Sequence, residues 1–354
     1  MHNRAMEVRT ALISLSGAAV WAGLAVLAGL RRAPAGVIEL LLLFAVLVVV
    51  PLGLGLVRTE NRAGVNSRFV VLQPIAALAV VASFWQRPGL AASALSVPWF
   101  VMGVVVAAIG MWNLHRNEKR SLADLAVSVA GVDLAFAGGW LVVSRAGLHP
   151  LGFQEPIVLL TSVHFHYSGF AVAVLAAAAA RSCERRKVSM GILRAIVWLL
   201  LFLPFLLAAG FVISPLLRLA SALGLALSVP AFAVCLFWMA PFLDVSVARV
   251  YLRTAALAAC VAMGLAGAYA VTDYLGRPFL TMPGMASTHG VLNGIGFVLC
   301  SMLAFLIEEN ATEPAASSEA ATKRAPTDSI VPRKRPASVP SHLPEFVARE
   351  FYDR

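Results

Sequence analysis

Ten separate apolar runs, each close to the length of a membrane-crossing helix, limit this chain more than any other feature. A bilayer's hydrocarbon layer needs about 20 apolar residues at about 1.5 Å per residue. The runs cover Thr10 to Leu30 and then, approximately, 36–57, 69–86, 90–114, 121–143, 156–180, 190–212, 217–240, 246–272 and 285–307. The first is too long for the apolar core of a signal peptide and is followed by many others, so it is read as an uncleaved first helix. The seventh and eighth are nearly continuous. Pro215 separates them, because proline lacks an amide hydrogen and disfavours helix at the residue before it. In hydrocarbon only helices and closed barrels satisfy every backbone group. The expected fold is therefore all-α: a polytopic transmembrane helical bundle of about ten spans.

Composition agrees. Charged residues make up 13% of the 354 residues, against about 25% in soluble domains. The net charge of +10 would suggest nucleic acid in a soluble chain, but here the basic residues collect between the runs, where they set orientation. With the N-terminus inside, 22 of the 28 Lys and Arg fall on the cytoplasmic side and six on the other. That bias predicts both termini in the cytoplasm of a multi-pass membrane protein. The lipid bilayer is its expected surrounding and nucleic acid is not a partner; the oligomeric state stays open. Residues 1–307 form the expected membrane domain. From Glu308 to Arg354 the composition turns to Ala, Ser, Thr, Pro and charge, and this segment is expected to be a disordered polar tail. Cys183, Cys235, Cys260 and Cys300 form no C-x-x-C pattern and are expected to be free thiols.

The sixth run carries Thr161-Ser162-Val163-His164-Phe165-His166-Tyr167-Ser168-Gly169-Phe170. Ionisable groups inside a membrane are costly and mark function by default. By helix rise His164 lies ~12 Å and His166 ~15 Å from the outer end. Two residues on a helix differ by roughly 200°, so the imidazoles face opposite ways, with Tyr167 on the His164 side. Asp133 of the fifth run reaches a similar depth and is the expected partner of one histidine, its carboxylate fixing the ring's tautomer. His289 and Asn293 of the tenth run are four apart and share a face. Glu39 and Asp273 lie nearer the outer surface. Together these groups outline a polar path from outside to the midplane, suited to a small solute or a proton. Trp85, Trp99 and Trp112 are expected in an interfacial aromatic belt.

Two resemblances bear on function. His-Phe-His-Tyr on an apolar helix resembles a motif of subunit I of haem–copper oxidases. That likeness implies haem as cofactor, with His164 and His166 as axial ligands; a wider haem- or metal-binding reading adds His289 as a candidate ligand. The likeness covers four residues; the oxidases' His-Pro-Glu-Val-Tyr segment and adjacent histidine pair are absent. Thr161 to Phe170 and Thr288 to Phe297 resemble the YndJ-like bacterial membrane proteins, as does the nearly loopless layout. That resemblance implies a multi-pass protein of the bacterial cytoplasmic (inner) membrane; the family brings no established activity, and a transporter label is sometimes attached to it. Two functions follow as expectations. One is a transporter-like protein without a cofactor, using Asp133, His164, His166, Tyr167, His289, Asn293 and Glu39. The other is a histidine-ligated haem or metal protein, redox-active. An enzyme is least supported, since no nucleophile–base pair or H-E-x-x-H motif occurs.

Overall fold

The computed structural model describes the backbone of residues 2–58, 67–118 and 120–311, and side-chain surroundings within 10–57, 72–118 and 120–311. The polar tail from Thr312 onward and the loop charges Arg62 and Lys119 lie outside the described residues.

Among the described residues ten helices occupy the places of the ten runs. They are α1 (His2–Gly29), α2 (Val37–Val57), α3 (Ser67–Ser83), α4 (Leu90–Arg116), α5 (Leu122–Ala146), α6 (Ile157–Arg186), α7 (Gly191–Ile213), α8 (Pro215–Phe242), α9 (Ser246–Tyr274) and α10 (Met282–Ala311). Among the described residues nine of them are long and apolar enough to cross a membrane; α3 adds a shorter apolar stretch, Leu72–Ser83. No strand occurs among the described residues. The last helix continues to Ala311, past the composition change at Glu308.

Local chemistry sets the helix ends. Ser121 caps α5: its hydroxyl accepts from the Asp124 amide at 3.0 Å, and the Asp124 carboxylate accepts from the Ser121 amide at 3.2 Å. Gly147 closes α5 in the left-handed region at φ 72°. Ser214 caps α8 by accepting from the Leu216 amide at 3.2 Å, with Pro215 in the first turn. Glu39 accepts from the Gly36 amide at 2.9 Å and holds the start of α2.

Burial sorts the helices into centre and rim. In their most apolar windows α2 is 83% and α6 72% buried, against 17% for α1. Leu41 to Leu54 and Gly169 to Cys183 are buried on every side, as expected of helices surrounded by others. The five alanines Ala176 to Ala180 let neighbours approach α6 closely. On the rim, α4 and α5 pack through glycines seven residues apart on each helix. A Cβ on Gly103 would meet Ala135 Cα at 2.9 Å, one on Gly110 would meet Ser128 Cα at 3.1 Å, one on Gly131 would meet Ala107 Cα at 2.8 Å, and one on Gly138 would meet Phe100 Cα at 2.9 Å.

Charges buried inside the bundle close helix ends. Arg145 donates to the carbonyls of Ser83 and Gln86 at 3.0 and 2.8 Å and lies over the Phe84 ring. Arg181 donates to Leu56 O at 3.0 Å. Glu308 accepts from the amides of Asp244 and Val245 at 2.7 and 3.1 Å and from Arg186 at 2.9 Å. The ends of α6 and α10 are thereby tied to the start of α9.

Candidate functional site

Three central helices depart from α geometry where they face one another. α2 is π-helical over Ala45–Val49, α6 over Phe165–Ala171, and α10 over Ala286–Gly290 and Leu292–Leu299. The stretches Ala45–Val49, Phe165–Ala171 and Leu292–Leu299 touch one another. A π turn re-aims side chains relative to an α-helix and is frequent at functional sites.

Beside them lies a cavity of about 390 Å³ walled by α6, α7, α8, α9 and α10. Its outer rim is formed where these helices begin or end, by Ile157, Phe211, Arg218, Asp273 and Met282. Its inner end reaches Val172, Val229, Phe297 and Val298. From Ile157 to Val172 the helix rises about 22 Å, so the cavity runs roughly halfway through the bundle. The walls are mainly apolar, and polar groups gather at two levels.

At the rim Arg218 pairs with Asp273 at 3.0 Å, with both side chains about a third exposed. The guanidinium also lies 5.2 Å from the Phe211 ring centre. Deeper in, His164, Tyr167, His289 and Asn293 share the wall. His289 donates from Nδ1 to Ala262 O on α9 at 2.9 Å. A carbonyl only accepts, so Nδ1 carries the proton and Nε2 keeps a lone pair. The Asn293 amide nitrogen lies 3.3 Å from that Nε2 and 3.5 Å from the Met263 sulfur, and Asn293 Oδ1 is buried without a hydrogen-bond partner. Tyr167 donates its hydroxyl to Leu41 O on α2 at 2.9 Å. Its ring rests against Gly294, where a Cβ would come within 3.1 Å of it. The Nε2 atom of His164 is buried and unpartnered.

His164 and His166 do point to different sides. His166 is completely buried; it donates from Nδ1 to Ser162 O at 2.8 Å and accepts at Nε2 from the Trp99 indole at 3.0 Å. Both ring nitrogens are engaged by protein, so the axial-ligand role implied by the oxidase likeness finds no free nitrogen there. Trp99 therefore belongs to the core and not to an aromatic belt, whereas Trp85 and Trp112 are exposed. Among the described residues no three His, Cys, Asp or Glu side chains converge as a metal site. The four cysteines are free.

Asp133 does not line the cavity. It is buried on α5 against α6, where a Cβ on Gly169 would meet its Cγ at 2.7 Å, and its Oδ1 has no hydrogen-bond partner. The expected pairing with the cavity histidine is replaced by contact with glycine backbone. Glu39 is likewise away from the cavity, capping α2. The structure thus joins His164, Tyr167, His289 and Asn293, and leaves Asp133, His166 and Glu39 outside the group. Arg218, in the sequence one of the six basic residues on the outer side, and Tyr269 also line the cavity. Tyr269 stands four residues before Asp273 on the same helical face; that spacing was the available signal.

A family model described as YndJ-like protein matches residues 40–297, an interval that holds all four of these cavity side chains and the rim pair. The uncharacterized membrane protein YndJ of Bacillus subtilis (strain 168) is 25% identical over 211 residues, which cover 59% of this chain and 37% of that protein. The chain thus spans little more than a third of that relative's length. No solved structure matches it.

Proposed function

The chain belongs to the YndJ-like family, and from that premise we propose that this multi-pass membrane protein is transporter-like, with the α6–α10 cavity as its solute-binding site. One observation carries the reading: a cavity open at one end of the bundle stops midway, where His164, Tyr167, His289 and Asn293 meet in otherwise apolar walls. Sites of this kind, apolar with a few convergent polar groups, are the usual form of small-molecule pockets. A polar group facing apolar surroundings costs free energy unless it gains a partner, and a bound solute supplies one. The charge bias of the loops supports placing the open end outside the cytoplasmic membrane. The Arg218–Asp273 pair then stands at the entrance, and loading from the other side requires the helices to rearrange.

A thermal-unfolding screen tests this. Full-length protein in nanodiscs is heated with a panel of small neutral, cationic and anionic solutes. A solute bound to the folded state at a hundred times its dissociation constant stabilises by about 2.7 kcal/mol. The expected result is at least one solute that raises the unfolding temperature of wild type, fails to do so for His164→Phe, and crosses liposomes containing the protein. No stabilising solute, or equal stabilisation of wild type and variant, would overturn the reading.

A further inference from the structure

We infer that the ligand of this cavity is an uncharged, largely apolar molecule that presents a hydrogen-bond donor, a hydroxyl or amide N–H, to the inner polar group; this rests on the solute-binding reading above. The hydrogen-bonding capacity left over at the inner end is lopsided. Asn293 Oδ1 is a buried acceptor with nothing donating to it. Tyr167 gives its one proton to Leu41 O, so its oxygen retains only acceptor capacity. His289 gives its Nδ1 proton to Ala262 O, and its Nε2 lone pair already faces the Asn293 amide nitrogen at 3.3 Å. A neutral His164, with Nε2 unpartnered, contributes one proton and one lone pair. Two sites accept only, and one side chain does both.

A ligand that donates satisfies atoms that otherwise remain buried and unpaired, which is the costly condition for a polar group. A carboxylate brings acceptors alone and meets those lone pairs unfavourably. The cation that could have drawn it in, Arg218, is already paired with Asp273 at 3.0 Å. An ammonium ligand would have to give up its hydration against Leu, Val and Phe walls with no carboxylate at the inner end, since Asp133 lies elsewhere. Neutrality and a donor are what remain. A volume of about 390 Å³ admits a compact, ring-sized body.

The test uses full-length protein in nanodiscs and three molecules of one skeleton: 4-phenylphenol, 4-methoxybiphenyl and biphenyl-4-carboxylate. Affinities come from isothermal titration calorimetry, and folding of each variant from its thermal transition. The phenol is expected to bind at least tenfold tighter than the ether, and the carboxylate more weakly than both. In Asn293→Leu and in His164→Phe the phenol-over-ether ratio is expected to fall below threefold while the ether's affinity stays within threefold of wild type; if one variant does not fold, the other decides. An unchanged ratio in a folded variant overturns the inference, as does tightest binding of the carboxylate or binding of none of the three. An anionic hit in the thermal screen that His164→Phe abolishes would uphold solute binding and overturn this ligand class, so the two failures differ.

Discussion

His166 on α6 and Asp133 on the neighbouring α5 are both buried and differently served. The imidazole has partners at both nitrogens, Ser162 O and the Trp99 indole. Removing the indole donor leaves a buried lone pair unsatisfied. Trp99→Phe should therefore lower stability by on the order of 1 kcal/mol, measured by reversible unfolding in mixed micelles. Asp133 offers the opposite case, a carboxyl oxygen without a hydrogen-bond partner against Gly169. An ionised carboxylate there is unfavourable, and a neutral side chain of the same shape avoids that penalty. Asp133→Asn should leave the unfolding midpoint unchanged or raise it. A drop of 2 kcal/mol or more would show that the carboxylate has a favourable charge interaction in the folded protein.

Between helices, shape decides. The four glycines on the α4–α5 seam allow backbone-to-backbone contact, which in lipid supplies the packing that water-driven burial cannot. Gly131→Leu would put a side chain where Ala107 Cα is 2.8 Å from the first added carbon. It should abolish the monodisperse peak of detergent-solubilised protein in size-exclusion chromatography. Gly264→Leu on α9, where nothing lies within 4 Å, should leave that peak intact. Equal behaviour of the two would mean that the seam does not hold the bundle. The π-helical stretches act at the same scale. By loosening the turn around Phe165–Ala171 and Leu292–Leu299 they set which side chains enter the cavity.

Across the whole molecule, the loop arginines and the buried ends tell one story. Arg186, Glu308 and the start of α9 are joined at the end of the bundle opposite the cavity's opening. The positive-inside bias predicts that this end is cytoplasmic. Reporter fusions after Arg120 and after Arg186 should read cytoplasmic, and one near Leu148 should read external. The reverse pattern would turn the cavity toward the cytoplasm and its proposed direction of access with it.

The sequence by itself determined the helices. Runs of apolar residues of bilayer length, divided by capping signals such as Ser121–Asp124 and Ser214-Pro215, place ten helices among the described residues, most of their ends within about four residues of those observed, because hydrocarbon leaves the backbone little other choice; α1 begins eight residues before its run and α6 continues six beyond its own. It also separated His164 from His166, since the helical turn alone puts them on different sides. It could not say what each side would meet. That Asp133 lands on Gly169 and not on an imidazole, that Trp99 is an inside partner and not a belt residue, and that Arg218 reaches Asp273 follow from how the helices are rotated against one another. In lipid that rotation is set by close packing of small residues and by π turns, and both are contacts between segments far apart in the chain.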